Sequence, residues 1–243
     1  GGFLADIGTR VPFYAAGVLG VVAAISSQIL LKEPERLEEP EQDLETAGQN
    51  SLSKILMPKF LIAFIVIFVA SFGLAAFESF FALFVDHKFA FTPTDIAIAI
   101  TGGAIIGAIC QVLLFDGLMK GLGEIKLVRI SLMLSAVLVM ALTVVSSYWM
   151  IMLVTFTVFI GFDLIRPAVT TYLSRIAGND QGFVGGMNSF FTSLANVFGP
   201  IVGGIMFDID INYPFYFGTV VIIAGLVIAM MWKDPAMKKL MNN

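Results

Sequence analysis

The chain is dominated by apolar runs of membrane length. Segments over 11–31, 60–85, 95–115, 126–147, 148–172, 183–207 and 214–232 carry few charges. An α-helix rises about 1.5 Å per residue, so about 20 residues cross a hydrocarbon core of roughly 30 Å. Within lipid a chain must satisfy its own backbone polar groups, which leaves helices or a closed barrel. A barrel would show alternating segments of about 10 residues instead. The expected fold is therefore an all-α polytopic membrane protein. Composition agrees: 58% of the 243 residues are hydrophobic and 13% are charged, where a soluble domain carries about 25% charge.

The same inventory narrows the chemistry. The single cysteine, Cys110, excludes an intrachain disulfide, and the single histidine, His87, argues against a histidine metal site or triad. No Ser–His, metal or paired-aspartate constellation stands out, so an enzyme is not expected, nor is a cofactor. Membrane lipid, not nucleic acid, is the expected partner of such a surface.

Between the first and second spans lies a hydrophilic stretch, 32–58, with seven acids from Glu33 to Glu45. Its composition suits a solvated connector. If that connector is cytoplasmic, alternation of the spans assigns every other turn. Of the 14 Lys and Arg, all except Arg10 and Lys88 then fall at cytoplasmic turns or helix ends. This matches the positive-inside rule, which counts Lys and Arg. The linker and the C-terminus are therefore expected in the cytoplasm.

An internal repeat bears on the architecture. Residues 1–14 read GGFLADIGTRVPFY and residues 203–216 read GGIMFDIDINYPFY, seven of 14 positions being identical without a gap. After the next span Lys32-Glu33-Pro34 corresponds to Lys233-Asp234-Pro235, with one residue deleted. The period encloses six spans, so both copies point the same way across the membrane. Two parallel six-helix halves joined by a cytoplasmic linker resemble the major facilitator architecture. On that reading 1–31 is the end of an N-terminal half, holding the tail of helix 5 and helix 6. Residues 32–58 are the linker, and 59–243 hold helices 7–12 with a short tail. The rest of the N-terminal half is then an expected partner.

Several residues break the apolar pattern. Asp163 and Arg166 are the only charges in the span over 148–172, within Gly-Phe-Asp-Leu-Ile-Arg-Pro at 161–167. Intramembrane charges usually face a water-filled path or each other. Three apart, the two share one helical face, either as a structural pair or with Asp163 exchanging a proton and Arg166 in support. Glu78 is the only ionisable residue between Phe60 and Val85; it is either an interfacial carboxylate or a protonatable cavity group.

Asn188, Thr192 and Asn196 make a polar stripe at successive steps of four on the next-to-last span. With Phe77, Phe81, Phe156 and Phe159 they outline a candidate cavity, aromatic and sparsely polar, suited to amphipathic organic ligands. Downstream, Gly199, Pro200, Gly203 and Gly204 read as a close helix contact or a hinge. Gly102, Gly103 and Gly107 read as helix packing. The polar stretch 116–124 reads as a Gly-rich turn, resembling a degenerate major facilitator loop signature with Lys120 where an aspartate is usual.

The runs Phe-Glu-Ser-Phe-Phe-Ala-Leu-Phe (77–84), Asp-His-Lys-Phe (86–89), Gly-Phe-Asp-Leu-Ile-Arg-Pro-Ala-Val-Thr-Thr-Tyr-Leu-Ser (161–174), Gln-Gly-Phe (181–183), Gly-Gly-Met-Asn-Ser (185–189) and 198–210 together resemble the NorA-type multidrug efflux transporters. That resemblance covers almost the whole chain. It implies a bacterial drug:proton antiporter of the plasma membrane that exports fluoroquinolones, cationic dyes and similar compounds, driven by the proton gradient. It also implies proton coupling at acids on helices 7 and 10, which map onto Glu78 and Asp163. Two other readings stay open at this point: a transporter of one defined metabolite, and a truncated, transport-inactive membrane half.

Overall fold

The computed structural model describes residues 10–30, 57–178 and 180–232, and among them every regular element is helical. Seven helices are long and apolar enough to cross a membrane. In chain order they are α1 (Val11–Leu30), α2 (Pro58–Phe89), α3 (Pro93–Leu122), α4 (Glu124–Val144), α5 (Tyr148–Ala177), α6 (Gln181–Ile209) and α7 (Tyr213–Met230). The expected tail of helix 5 and the C-terminal tail lie outside the described residues, as does the linker apart from its last two residues.

The chain divides into two units, residues 1–50 and 51–243. The first contributes α1, whose apolar side chains, Phe13, Val18, Leu19 and Ile25 among them, are exposed. It begins at Val11, and α7 begins at Tyr213, the same position in the two copies of the sequence repeat.

The second unit is a six-helix bundle. Its centre is α2, which is apolar almost all the way round and buries Phe64, Val66, Ile67, Phe77, Phe81 and Phe84. A helix without a polar face belongs in the interior. It packs chiefly against α6 and α7, and also against α5. In turn α5 packs on α4 and α3, and α4 on α7. The rim helices α3 and α6 bury few side chains.

The helices run past the expected spans. At 30 residues α3 is about 45 Å long, more than a ~30 Å core requires. The stretch 116–124, expected as a turn, is therefore mostly the last two turns of α3, and the break is confined to Gly123 at φ 75°. A helix leaving the hydrocarbon still gains its own backbone hydrogen bonds, while Asp116 and Lys120 reach the interface.

Polar clamps fix the bundle at both ends. At one end Arg129 of α4 donates to the carbonyls of Ala229 (2.8 Å), Met230 (3.3 Å) and Trp232 (2.6 Å), capping the end of α7. At the other, Lys88 of α2 donates to the Thr143 carbonyl of α4 (2.6 Å) and to Asn212 Oδ1 before α7 (3.0 Å). Asp210 accepts hydrogen bonds from the Asn212 backbone N–H and side-chain amide, which hold its carboxyl below the ordinary value of 3.8. Thr92 and Asp95 form a reciprocal capping box at the start of α3. Tyr148 ties that start to α5 by donating to Asp95 Oδ1 at 2.9 Å.

Candidate functional site

Asp163 stands near the middle of α5, half-buried, and its carboxylate lies over Gly107 of α3. A Cβ at Gly107 would collide with Asp163 Oδ2. The same edge of α3 receives two aromatic rings from α5. A Cβ at Gly103 would enter the Phe159 ring, and one at Gly102 would lie 3.0 Å from Phe156. The three glycines thus seat Phe156, Phe159 and Asp163, two of them two turns apart on one face of α5.

Glu78, on α2, is exposed, and it lies within electrostatic range of Asp163. Asp163 thus bears on Glu78 through space from another helix, and among the described residues no hydrogen bond joins the two. Arg166 is also exposed and acts on Asp163 through space. Among the described residues the two form no direct salt bridge, so the one-turn spacing does not produce an intrahelical pair.

The aromatic residues divide by location. Phe77, Phe81 and Phe159 are in the core, at 2%, 0% and 4% exposure. Phe77 packs on Phe81 (centroids 5.2 Å apart), edge-on to Phe159 (6.0 Å) and edge-on to Phe215 (6.3 Å). These three are packed core and not the cavity lining expected of them, and Phe156 is the member of the four that is partly exposed.

On α6, Asn188 and Thr192 are partly exposed and Asn196 is exposed. Asn188 Nδ2 donates to Thr170 Oγ1 of α5 across a long 3.5 Å. Asn188 Oδ1 and Thr192 Oγ1 are buried atoms with no hydrogen-bond partner. One to two turns further along α6, Gly199 sits on the α2 backbone, where a Cβ would be 3.2 Å from the Phe72 carbonyl and 3.3 Å from the Ala76 nitrogen. Gly203 and Gly204 face the Phe80 ring. Pro200 lies inside the helix and removes one ladder hydrogen bond without ending it.

Metal chemistry has no evident seat: among the described residues no three His, Cys, Asp or Glu side chains cluster.

Comparison with known proteins accounts for this arrangement. The family model of the Major Facilitator Superfamily matches residues 63–240, from early in α2 to beyond α7. The chain belongs to the major facilitator superfamily. Within that superfamily it is 59% identical over 236 residues to Multidrug resistance protein 1 of Bacillus subtilis (strain 168), covering 97% of this chain and 60% of that protein. Multidrug resistance protein 2 of the same organism is 47% identical, covering 96% and 60%. Quinolone resistance protein NorA of Staphylococcus aureus (strain MRSA252) is 42% identical, covering 98% and 61%. The chain thus spans about 60% of the length of these major facilitator relatives.

Some neighbours of the site are absent from the sequence reading. Gly107 was legible only as a packing glycine, although its four-residue step from Gly103 gave the face. Thr170 and Ser174 continue the face of Asp163 at steps of seven and four, a periodic signal that the charged pair obscured. Arg175 of α5 pairs with Glu124 of α4 at 3.3 Å, a contact between distant positions that no local pattern announces.

Proposed function

We propose that this major facilitator chain is the C-terminal portion of a proton-coupled exporter of amphipathic drugs and dyes, quinolones included. Two acids inside membrane-length helices, Glu78 on α2 and Asp163 on α5, with Asp163 acting on Glu78 through space, carry the proposal. The printed names of the relatives, multidrug resistance and quinolone resistance proteins, indicate the substrate class.

Charged groups persist inside a membrane where they do work. A charge at one carboxylate alters the field at another nearby, so occupancy of Asp163 by a proton or by a cationic drug changes the field at Glu78. Proton binding from outside favours drug release, and deprotonation toward the cytoplasm favours drug capture. The two events are coupled only if the outward-facing and inward-facing states differ in affinity for each ligand. Phe156, which shares the α3 edge with Asp163, offers apolar contact, and the exposed Asn196 of α6 is the polar candidate. Arg166 supports the field at Asp163.

Alternating access requires a second six-helix half, joined through the acidic linker, against which α2–α7 rock. The close α2–α6 contact at Gly199 and Gly203, next to Pro200, is the hinge of that motion. The protein works in the bacterial plasma membrane as a transporter, not an enzyme, with linker and C-terminus in the cytoplasm and the proton gradient as its energy source.

The test uses the full-length transporter in proteoliposomes. Glu78→Gln and Asp163→Asn should each cut proton-driven ethidium efflux by about tenfold or more, the scale of a coupling free energy of ~1–3 kcal/mol. Undiminished proton-driven efflux in both variants would overturn the assignment.

A further inference from the structure

We propose that the facing polar stripes of α5 and α6 form the path by which Asp163 exchanges its proton with the cytoplasm. The inference rests on the proton-coupled reading above and adds the route and its residues.

On α5 the residues that follow Asp163 toward the α5–α6 turn are Thr170 and Ser174. At 100° per residue they fall within about 20° of the Asp163 direction. Both are exposed. On the antiparallel α6, Gln181, Asn188 and Thr192 likewise share a face. The stripes meet in two rungs: Ser174 Oγ donates to Gln181 Oε1 at 3.0 Å while Gln181 Nε2 donates to the Ser174 carbonyl at 2.8 Å, and Asn188 reaches Thr170 at 3.5 Å. The rungs place neutral donors and acceptors on the last part of α5, roughly 10 Å (Thr170) and 16 Å (Ser174) along the helix from Asp163.

Two observations distinguish this line from an ordinary helix contact. Asn188 Oδ1, at the Thr170 rung, and Thr192 Oγ1, one turn further along α6, are buried without a protein partner. Buried polar atoms are nearly always satisfied, by water where protein does not supply a partner. Farther along, Thr170, Thr171, Ser174 and Arg175 line an open groove of about 420 Å³. The line therefore runs from a carboxyl inside the bundle, past atoms that bind water, to a solvent groove at the end that positive-inside bias assigns to the cytoplasm.

The step balances simply. The Asp163 O–H bond breaks, leaving the carboxylate, and the proton joins a water held by Thr192 and Asn188. It then passes along waters and the Thr170 and Ser174 hydroxyls, each accepting one proton and giving up another, and leaves as hydronium in the groove. Arg166, one turn beyond Asp163, and Arg175 are the fixed charges beside the line, and as guanidinium groups that stay protonated neither takes up the proton. The charged and titratable groups around Asp163 are Glu78 from α2 and Arg166 from its own helix. From α3 it meets Gly107, with Cys110 one turn on, and from α6 only neutral amides and hydroxyls face this line.

The experiment uses the full-length transporter in proteoliposomes with a pH dye inside, and measures proton flux during ethidium exchange and equilibrium ethidium binding. The triple variant Thr170→Val, Asn188→Leu, Thr192→Val should slow proton flux by about tenfold; Thr170→Val alone, outside the candidate cavity, should slow flux while ethidium affinity stays unchanged. Thr170→Ser and Thr192→Ser should retain the flux, which separates loss of the path from loss of folding. Unchanged flux in the triple variant would overturn the proposal, as would lost ethidium affinity with undiminished flux. Asp163→Asn distinguishes the parent reading: if that variant keeps proton-driven flux, proton coupling at Asp163 fails; if it loses flux while the triple variant does not, only the path fails.

Discussion

Asp163 depends on a residue with no side chain. Its carboxylate occupies the space that a Cβ at Gly107 would take, so Gly107→Val should displace the acid and overpack the α3–α5 contact at a cost of about 1–3 kcal/mol. Gly117→Ala and Gly121→Ala, on the same helix but with nothing within 4 Å of the added carbon, should be neutral or stabilise by about 0.5–1 kcal/mol. Thermal unfolding of the three variants checks the contrast, and equal behaviour would contradict the contact. The sequence made Asp163, Glu78 and the α6 stripe visible because charge and amide groups in apolar runs are rare. It did not place the phenylalanines: Phe77, Phe81 and Phe159 are chemically indistinguishable from lipid-facing rings, and only the neighbouring helices decide that they are core. Nor could a three-residue spacing say that Arg166 makes no direct bridge with Asp163.

Among the helices, the clamps and the glycine contacts divide the bundle. Arg129 holds α4 to α7 at one end, and Lys88 holds α2 to α4 and to the turn before α7 at the other. The helices that carry the polar line, α5 and α6, are joined instead by side-chain rungs and by the glycine approach of α6 to α2. Removing the Arg129 clamp with Arg129→Ala leaves three carbonyls at the end of α7 without their donor and should destabilise the bundle by about 1.5–3 kcal/mol. Hydrogen exchange should rise first at the last turn of α7, and unchanged protection there would contradict the clamp. Helix number and order were legible from hydropathy alone. The ends were not, because hydropathy registers the hydrocarbon boundary, whereas a helix such as α3 continues as far as its backbone bonds and Gly123 allow.

The whole molecule is defined by what the repeat implies. One copy of the Pro-Phe-Tyr helix start opens α1 and the other opens α7, and the major facilitator match covers the bundle between them. In the proposed transporter the six helices α2–α7 rock against a matching half, and the acids on α2 and α5 convert a proton gradient into that motion. The most direct measurement is proton release on drug binding by the detergent-solubilised full-length transporter in weakly buffered solution. The account predicts that ethidium binding releases protons, and that Glu78→Gln and Asp163→Asn each reduce the number released per drug bound. Drug binding with no proton released, or with release unaltered in both variants, would contradict it.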